Sequence, residues 1–97
     1  MVRIKDITYI YRKHFQSVYI YSDGSNKICR ESLYSIYNNL GDDIFVKTRK
    51  YILNIEYIHK VRKNEITLNN GNLLKLNKKD FDTVRWAIHR YYHDRLH

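Results

Sequence analysis

Apolar and polar positions in the first third of the chain predict two strands and a hairpin. Residues 7–11 and 18–21 are β-branched and aromatic, which is typical of strands, and a polar, basic loop at 12–17 separates them. Asp23-Gly24 then predicts a type I′ hairpin turn, in which both central residues take positive φ. We expect the chain to return through residues 27–29.

The spacing of the next apolar residues predicts a short amphipathic helix. Leu33, Ile36, Tyr37 and Leu40 follow the i, i+3, i+4, i+7 pattern of one helix face. Gly41 can end this helix, because glycine readily adopts the left-handed conformation found there. Residues 44–46 are a short apolar segment beyond a polar turn.

Three further apolar segments predict a three-stranded antiparallel meander. They cover residues 57–61, 65–68 and 73–76, with turns at residues 62–64 and 69–72. Asn70-Gly71, flanked by apolar alternation, is a strong hairpin signal.

The last segment predicts a helix that Asn77 caps, with Asp80 three residues further on. One helical face carries Phe81, Val84, Ile88, Tyr91 and Tyr92, whereas Trp86 falls on nearly the opposite face and is expected to be exposed. The predicted fold class is therefore α+β, mostly antiparallel β, with a short central helix and a C-terminal helix.

Length and composition indicate one small domain over residues 1–97, with its core at about 4–96. No apolar run approaches the roughly 20 residues that span a bilayer, so no membrane helix is expected. The N-terminus lacks a signal-like apolar core, and the single cysteine, Cys29, suits a reducing compartment. We expect a cytoplasmic protein.

The charge of the chain favours a polyanionic partner. Eighteen Lys and Arg against ten Asp and Glu give a net charge of +8. Residues 47–63 alone carry six of these cations against Glu56, a net +5. The cations gather at strand connections, at residues 12–14, 47–50, 62–63 and 78–79. Loops on a rigid sheet can enter a DNA groove, where Lys and Arg neutralise phosphates and Arg, Asn and Gln can pair with base edges.

Signals for catalysis or for a cofactor are poor. The three glycines lie far apart, so no glycine-rich phosphate loop is present, and Cys29 has no neighbouring cysteine to form a zinc pattern. His89, His93 and His97 are spaced by four and could bridge a metal, but a solvated basic face is the favoured interpretation. We expect no enzyme activity, no cofactor, no metal and no small-molecule substrate.

The central basic segment resembles a known family signature. Residues 45–58 read Phe-Val-Lys-Thr-Arg-Lys-Tyr-Ile-Leu-Asn-Ile-Glu-Tyr-Ile. This is similar to Phe-x-Arg-x-His-Arg-Ser-x-Val-Asn-x-x-x-Ile of the LytTR DNA-binding domain. The first strand (residues 6–10), the Asp23-Gly24 hairpin, the helix at 33–40 and the segment 70–78 follow the same plan, so the resemblance covers nearly all of the chain.

The resemblance implies a bacterial transcription regulator, either stand-alone or the output domain of a response regulator. The implied fold is elongated and mostly antiparallel β, with loops that enter successive major grooves of double-stranded promoter DNA at direct repeats. The sequence departs from the family pattern at Lys47, Arg49, Tyr51 and Leu53, and has Asn77-Lys78 where Ser-Arg is common. Because lysine lacks the planar fork of arginine, base preference at those contacts is expected to differ.

The predicted DNA-binding residues come from this resemblance together with the charge pattern. In the first contact loop, residues 12–16, Lys13 lies beside three expected base contacts, Arg12, His14 and Gln16. Phosphate contacts are assigned to Lys47, Lys50, Lys63 and Lys79. Base contacts are assigned to Arg12, His14, Gln16, Arg49, Asn54 and Lys78, and Asn77 is both a candidate contact and a candidate helix cap.

Two alternatives remain open at this point. An exposed Trp86 would suit a small interaction protein that dimerises, or pairs with another regulator, through its terminal helix. A homodimer on DNA would combine both ideas. RNA binding is a third possibility, which would need exposed aromatic side chains on a sheet.

Overall fold

The computed structural model describes residues 3–95 and contains two antiparallel sheets and two α-helices. The five-stranded sheet has the order β3-β2-β1-β5-β4 and the three-stranded sheet the order β6-β7-β8. The strands are β1 (Ile7–Lys13), β2 (Gln16–Tyr21), β3 (Asn26–Cys29), β4 (Phe45–Lys47), β5 (Tyr51–Asn54), β6 (Ile58–Arg62), β7 (Glu65–Leu68) and β8 (Leu73–Lys75). The helices are α1 (Leu33–Leu40) and α2 (Lys78–Arg95), and single 3₁₀ turns cover Ile4–Asp6 and Ile55–Tyr57.

This architecture confirms the predicted α+β class, the meander and both helices. Ser32 caps α1 by accepting a hydrogen bond from the Ser35 amide, and Gly41 ends the helix at φ = 59°. The resemblance implies an elongated fold, but the molecule is only modestly elongated, with extents of 34 × 28 × 25 Å.

The predicted loop at residues 12–17 is instead mostly strand. Arg12 pairs with Ser17 and Lys13 pairs with Gln16, which leaves only His14 and Phe15 as the connection between β1 and β2. Polar side chains at the solvent-facing end of a hairpin do not interrupt its backbone hydrogen bonds. The change to polar residues therefore does not mark the end of β1 or the start of β2, as the sequence pattern predicted.

Strand β5 was not predicted, although it lies between β1 and β4 in the sheet. Ile52 and Leu53 are both fully buried. Because both faces of this strand are covered, its residues show none of the alternation that marks a half-exposed strand.

Both glycine hairpins differ from the type I′ geometry expected at Asp23-Gly24. The Gly24 amide donates to the Tyr21 carbonyl, and the Tyr21 amide donates to Ser25, which defines a three-residue connection. Gly24 alone has positive φ there (88°), and Gly71 (90°) takes the same place after Leu68. Three-residue connections of this kind place glycine in the left-handed position.

The core lies where the two helices cover the sheets. α1 contributes Leu33 and Ile36, and α2 contributes Phe81, Val84, Ala87 and Tyr91. Of the predicted α2 face, Ile88 is only half-buried and Tyr92 is exposed, whereas Ala87, which lies outside the predicted face, is buried. The Tyr91 hydroxyl donates to the Glu56 carboxylate, and burial together with this bond raises the pKa of Tyr91 to about 12.

Candidate nucleic-acid interface

The β1–β2 hairpin projects its tip from one end of the five-stranded sheet. His14 has φ = 56°, a left-handed conformation that lets the chain reverse within two residues. Lys13, His14, Phe15 and Gln16 are all exposed at this tip. Arg12 lies behind them, where its guanidinium donates to the Ser17 hydroxyl at 3.1 Å and to the Glu31 carbonyl at 3.0 Å. Arg12 therefore ties the hairpin to the segment that follows β3.

The β4–β5 connection lies beside this hairpin. Thr48 is buried, and its hydroxyl accepts a hydrogen bond from the Tyr51 amide at 3.0 Å, which closes a tight loop with Arg49 and Lys50 exposed. The Lys50 carbonyl accepts a bond from the Arg12 amide at 3.1 Å. The two connections are thus joined through their backbones.

The start of α2 meets the β4–β5 connection on its other side. Arg49 and Lys50 line a shallow depression together with Lys75 and Asn77. The Asn77 side chain accepts the Asp80 amide at 2.8 Å and so caps α2, as the sequence predicts. Lys78 follows, and its exposed ion pair with Asp82 at 2.9 Å contributes little to stability.

The β6–β7 turn completes this surface. Asn64 has φ = 60° and accepts the Leu76 amide at 2.9 Å, which fixes the turn against the end of β8. Lys63 and Lys78 line a second depression between the turn and α2. The resulting surface, here called the basic edge, comprises Lys13, His14, Gln16, Arg30, Arg49, Lys50, Lys63, Lys75, Asn77 and Lys78. Two acidic side chains, Asp80 and Asp82, also line its depressions.

The opposite end of the five-stranded sheet is acidic. Asp6 precedes β1, Asp23 lies in the β2–β3 hairpin, and Asp42 and Asp43 precede β4. Glu56 follows β5 at the same end, where Phe45 pairs with Asn54. Cations that share this end include Arg3, which pairs with Asp6, Arg95, which pairs with Asp43, and Lys5. Within the five-stranded sheet, acidic side chains are therefore concentrated at this end, although Glu31 follows β3 at the other end.

Most of the predicted contact residues are exposed, and most of those lie on or beside the basic edge. Lys79 is exposed on the first turn of α2. Lys47 is half-buried on the edge strand β4, with its ammonium 3.4 Å from the Thr48 carbonyl. Arg12 is half-buried and already holds the base of the hairpin, so only part of its guanidinium is available to a ligand.

The assignment of Asn54 as a base contact is wrong. Its side chain is fully buried. Its amide group donates to the Ile7 carbonyl at 2.8 Å and to the Lys5 carbonyl at 3.3 Å, and its oxygen accepts the Glu56 amide at 2.9 Å. No base can reach this side chain, which instead joins β5 to the segment before β1.

Sequence reasoning missed three residues on or beside this surface. Arg30 lies next to the hairpin tip, and Lys75 lies beside Arg49 and Lys50. Lys75 could have been found, because in Leu74-Lys75-Leu76 it is the outward residue of an alternating strand. Phe15 is 85% exposed at the tip, and no local pattern indicates that an aromatic side chain would be left there.

The remaining candidate chemistry lies on α2. His89 stacks edge-on against Trp86 and face-on against His93, and His97 lies outside the described residues. Within residues 3–95, no three His, Cys, Asp or Glu side chains are grouped so that they could hold a metal ion. Trp86 is exposed, as predicted. None of the helices between residues 3 and 95 is both long and apolar enough to cross a membrane.

The fold and this surface define a small basic α+β domain whose strand connections, rather than an enclosed cavity, form the candidate site. The sequence profile of the LytTr DNA-binding domain family matches residues 1–89, and the chain belongs to that family of DNA-binding domains. Among solved structures, the fold is similar to a LytTr DNA-binding domain described as part of a methyl-accepting/DNA response regulator from Bacillus cereus. The TM-score is 0.80 at 16% identity, over 90% of this chain and 84% of the other. No curated protein sequence matches the chain.

Proposed function

We propose that this domain is a non-catalytic transcription regulator of the bacterial cytoplasm that binds promoter DNA sequence-specifically. Its basic connections enter successive major grooves at direct repeats. The observation that supports this most strongly is the basic edge itself, where four connections from two sheets and a helix lie side by side. Because carboxylates are concentrated at the opposite end of the larger sheet, the orientation that turns the basic edge toward a phosphate backbone is favoured.

The exposed side chains divide into two roles. Lys13, Lys50, Lys63 and Lys79, together with the half-buried Lys47, contact phosphates and fix the position of the domain on the duplex. Base edges are read by His14, Gln16, Arg49 and Lys78, of which Arg49 alone offers the bidentate fork that guanine accepts.

Selection of bound duplexes from random DNA at physiological salt tests this function. We expect enrichment of paired motifs about 10 base pairs apart, because sites one helical turn apart lie on the same face of the duplex. Binding that is equal on selected and random duplexes would contradict sequence-specific recognition. Competition by RNA of the same sequence, as strong as by DNA, would contradict the choice of double-stranded DNA.

A second copy of the chain on α2 is a separate candidate partner. Trp86 is 66% exposed and lies with Val61 and Ile88 in a depression next to the basic edge. Large aromatic side chains left exposed in this way are enriched at interfaces. Such a contact would let two domains occupy adjacent repeats.

Gel filtration of the wild type and of Trp86→Ala, each with and without a two-site duplex, tests this contact. We expect a dimer that Trp86→Ala abolishes and that Tyr92→Ala, at another exposed position of the same helix, preserves. Identical monomer profiles for the two free proteins, together with equal elution of their complexes with the two-site duplex, would rule the contact out.

A further inference from the structure

The tip of the β1–β2 hairpin exposes an aromatic ring that contributes little to the fold. Phe15 is 85% exposed, more than any other large hydrophobic residue of the described chain. Lys13 and Gln16 pair directly beneath it, so the ring lies at the extreme end of the hairpin. The ring has no core to stabilise at this position and is therefore open to contact with a ligand.

The hairpin that carries Phe15 is held from both sides. The Ser17 hydroxyl donates to the Glu31 carbonyl at 2.6 Å, and the Arg12 guanidinium donates to both Ser17 and Glu31. On the other side, the Arg12 amide bonds to the Lys50 carbonyl. The backbone beneath the ring is therefore held at a fixed place relative to the β4–β5 connection, so the hairpin itself needs little further ordering on binding.

The surroundings of the ring favour DNA over an apolar protein surface. Phe15 shares a shallow depression with His14, Gln16 and Arg30, and Lys13 lies across the hairpin. An apolar partner would have to desolvate these cationic and polar groups without pairing them. The DNA major groove has phosphates along its rims, is wide enough for a two-stranded β-ribbon, and contains one apolar group, the C5-methyl of thymine.

We propose that Phe15 packs against a thymine C5-methyl group and makes the hairpin selective for thymine at that position. This inference rests on the proposed DNA-binding function and adds a specificity-determining residue to it. Since the contact is apolar, it adds discrimination without adding to the salt dependence that Lys13 and Lys50 produce.

Replacing thymine by deoxyuridine, which lacks only the methyl group, tests the contact. The tightest duplex from the selection is resynthesised with deoxyuridine at one thymine at a time. We expect one position per repeat at which the replacement weakens wild-type binding about fourfold, the value of one buried methyl-sized group. Phe15→Ala should bind the two versions of that position equally, and Phe15→Leu should keep part of the preference.

Ile28→Ala is the matched control, because Ile28 is also an exposed apolar residue but lies on strand β3. It should keep the full preference for thymine. If the wild type binds the selected duplex specifically but shows no thymine dependence, or Phe15→Ala retains that dependence, the inference is overturned while DNA binding stands. An equal loss by Phe15→Ala on selected and random duplexes also overturns it. If the selection enriches no sequence, the proposed function of sequence-specific DNA binding is itself contradicted.

Discussion

At the scale of single residues, Asn54 shows how an asparagine in a basic segment can have a structural role. An asparagine within a basic segment suits base recognition, but this one satisfies three backbone groups inside the protein. The residues around it explain the misassignment: Ile52 and Leu53 form a buried strand that the sequence did not reveal. Without that strand, the burial of Asn54 could not be predicted.

Asn54→Ala should lower the free energy of unfolding by about 2–3 kcal/mol, because it leaves buried backbone groups without partners. Urea denaturation measures this loss. Asn38→Ala, at an exposed position of α1, is the control and should change stability by less than about 0.5 kcal/mol. The folded variant should bind the selected duplex as the wild type does. Unchanged stability together with weakened specific binding would contradict this structural role and support Asn54 as a DNA contact.

At the scale of elements, the N-terminus of helix α2 carries charges that are unfavourable for a helix. Its first two residues are Lys78 and Lys79, although the N-terminal end of a helix already carries partial positive charge. Asp80 and the cap from Asn77 offset this only in part. An arrangement that is unfavourable for the helix but strengthens the positive potential of the basic edge is expected at a site for an anion.

Lys79→Glu should therefore raise the free energy of unfolding by about 0.3–1 kcal/mol at low ionic strength while weakening DNA binding. Thermal unfolding and duplex titration measure the two effects. Arg90→Glu makes the same charge change in the C-terminal half of α2 and should not stabilise the protein. Equal stabilisation by both variants would show that net charge, rather than the helix terminus, is responsible.

The other end of α2 gives a pH dependence. The pKa of Tyr91 is raised to about 12, because the hydroxyl is buried and donates to Glu56, so the folded state disfavours its ionisation. The stability contributed by Tyr91 is complete below pH 10, the ordinary tyrosine pKa, and is lost as the pH rises toward 12.

Urea denaturation across this range should show the stability difference between the wild type and Tyr91→Phe narrowing from pH 10 to pH 12. Tyr34→Phe, at an exposed position of α1, should follow the wild type throughout. A difference between the wild type and Tyr91→Phe that is constant over this range would contradict the assigned coupling.

At the scale of the whole molecule, the basic edge and the carboxylates concentrated at the other end of the larger sheet could be predicted only in part. The sequence places cations at connections, and the hairpins at Gly24 and Gly71 follow from local turn chemistry. The adjacency of Lys63 to Lys78, and of Arg49 to Lys75, depends on how the two sheets and α2 pack. These contacts join residues distant in sequence, so local patterns carry no information about them.

The slope of log K against log salt concentration for the selected duplex tests the central claim, that the connections of the basic edge engage one DNA molecule together. Lys13→Ala, Lys50→Ala and Lys63→Ala, from three different connections, should each reduce the magnitude of the slope by about 0.9, the contribution of one phosphate contact, and the triple variant by their sum. Lys5→Ala, at the acidic end of the sheet, should leave the slope unchanged. The account would be contradicted if Lys5→Ala changed the slope as much as the other variants do. It would also be contradicted if Lys13→Ala, Lys50→Ala or Lys63→Ala left the slope unchanged.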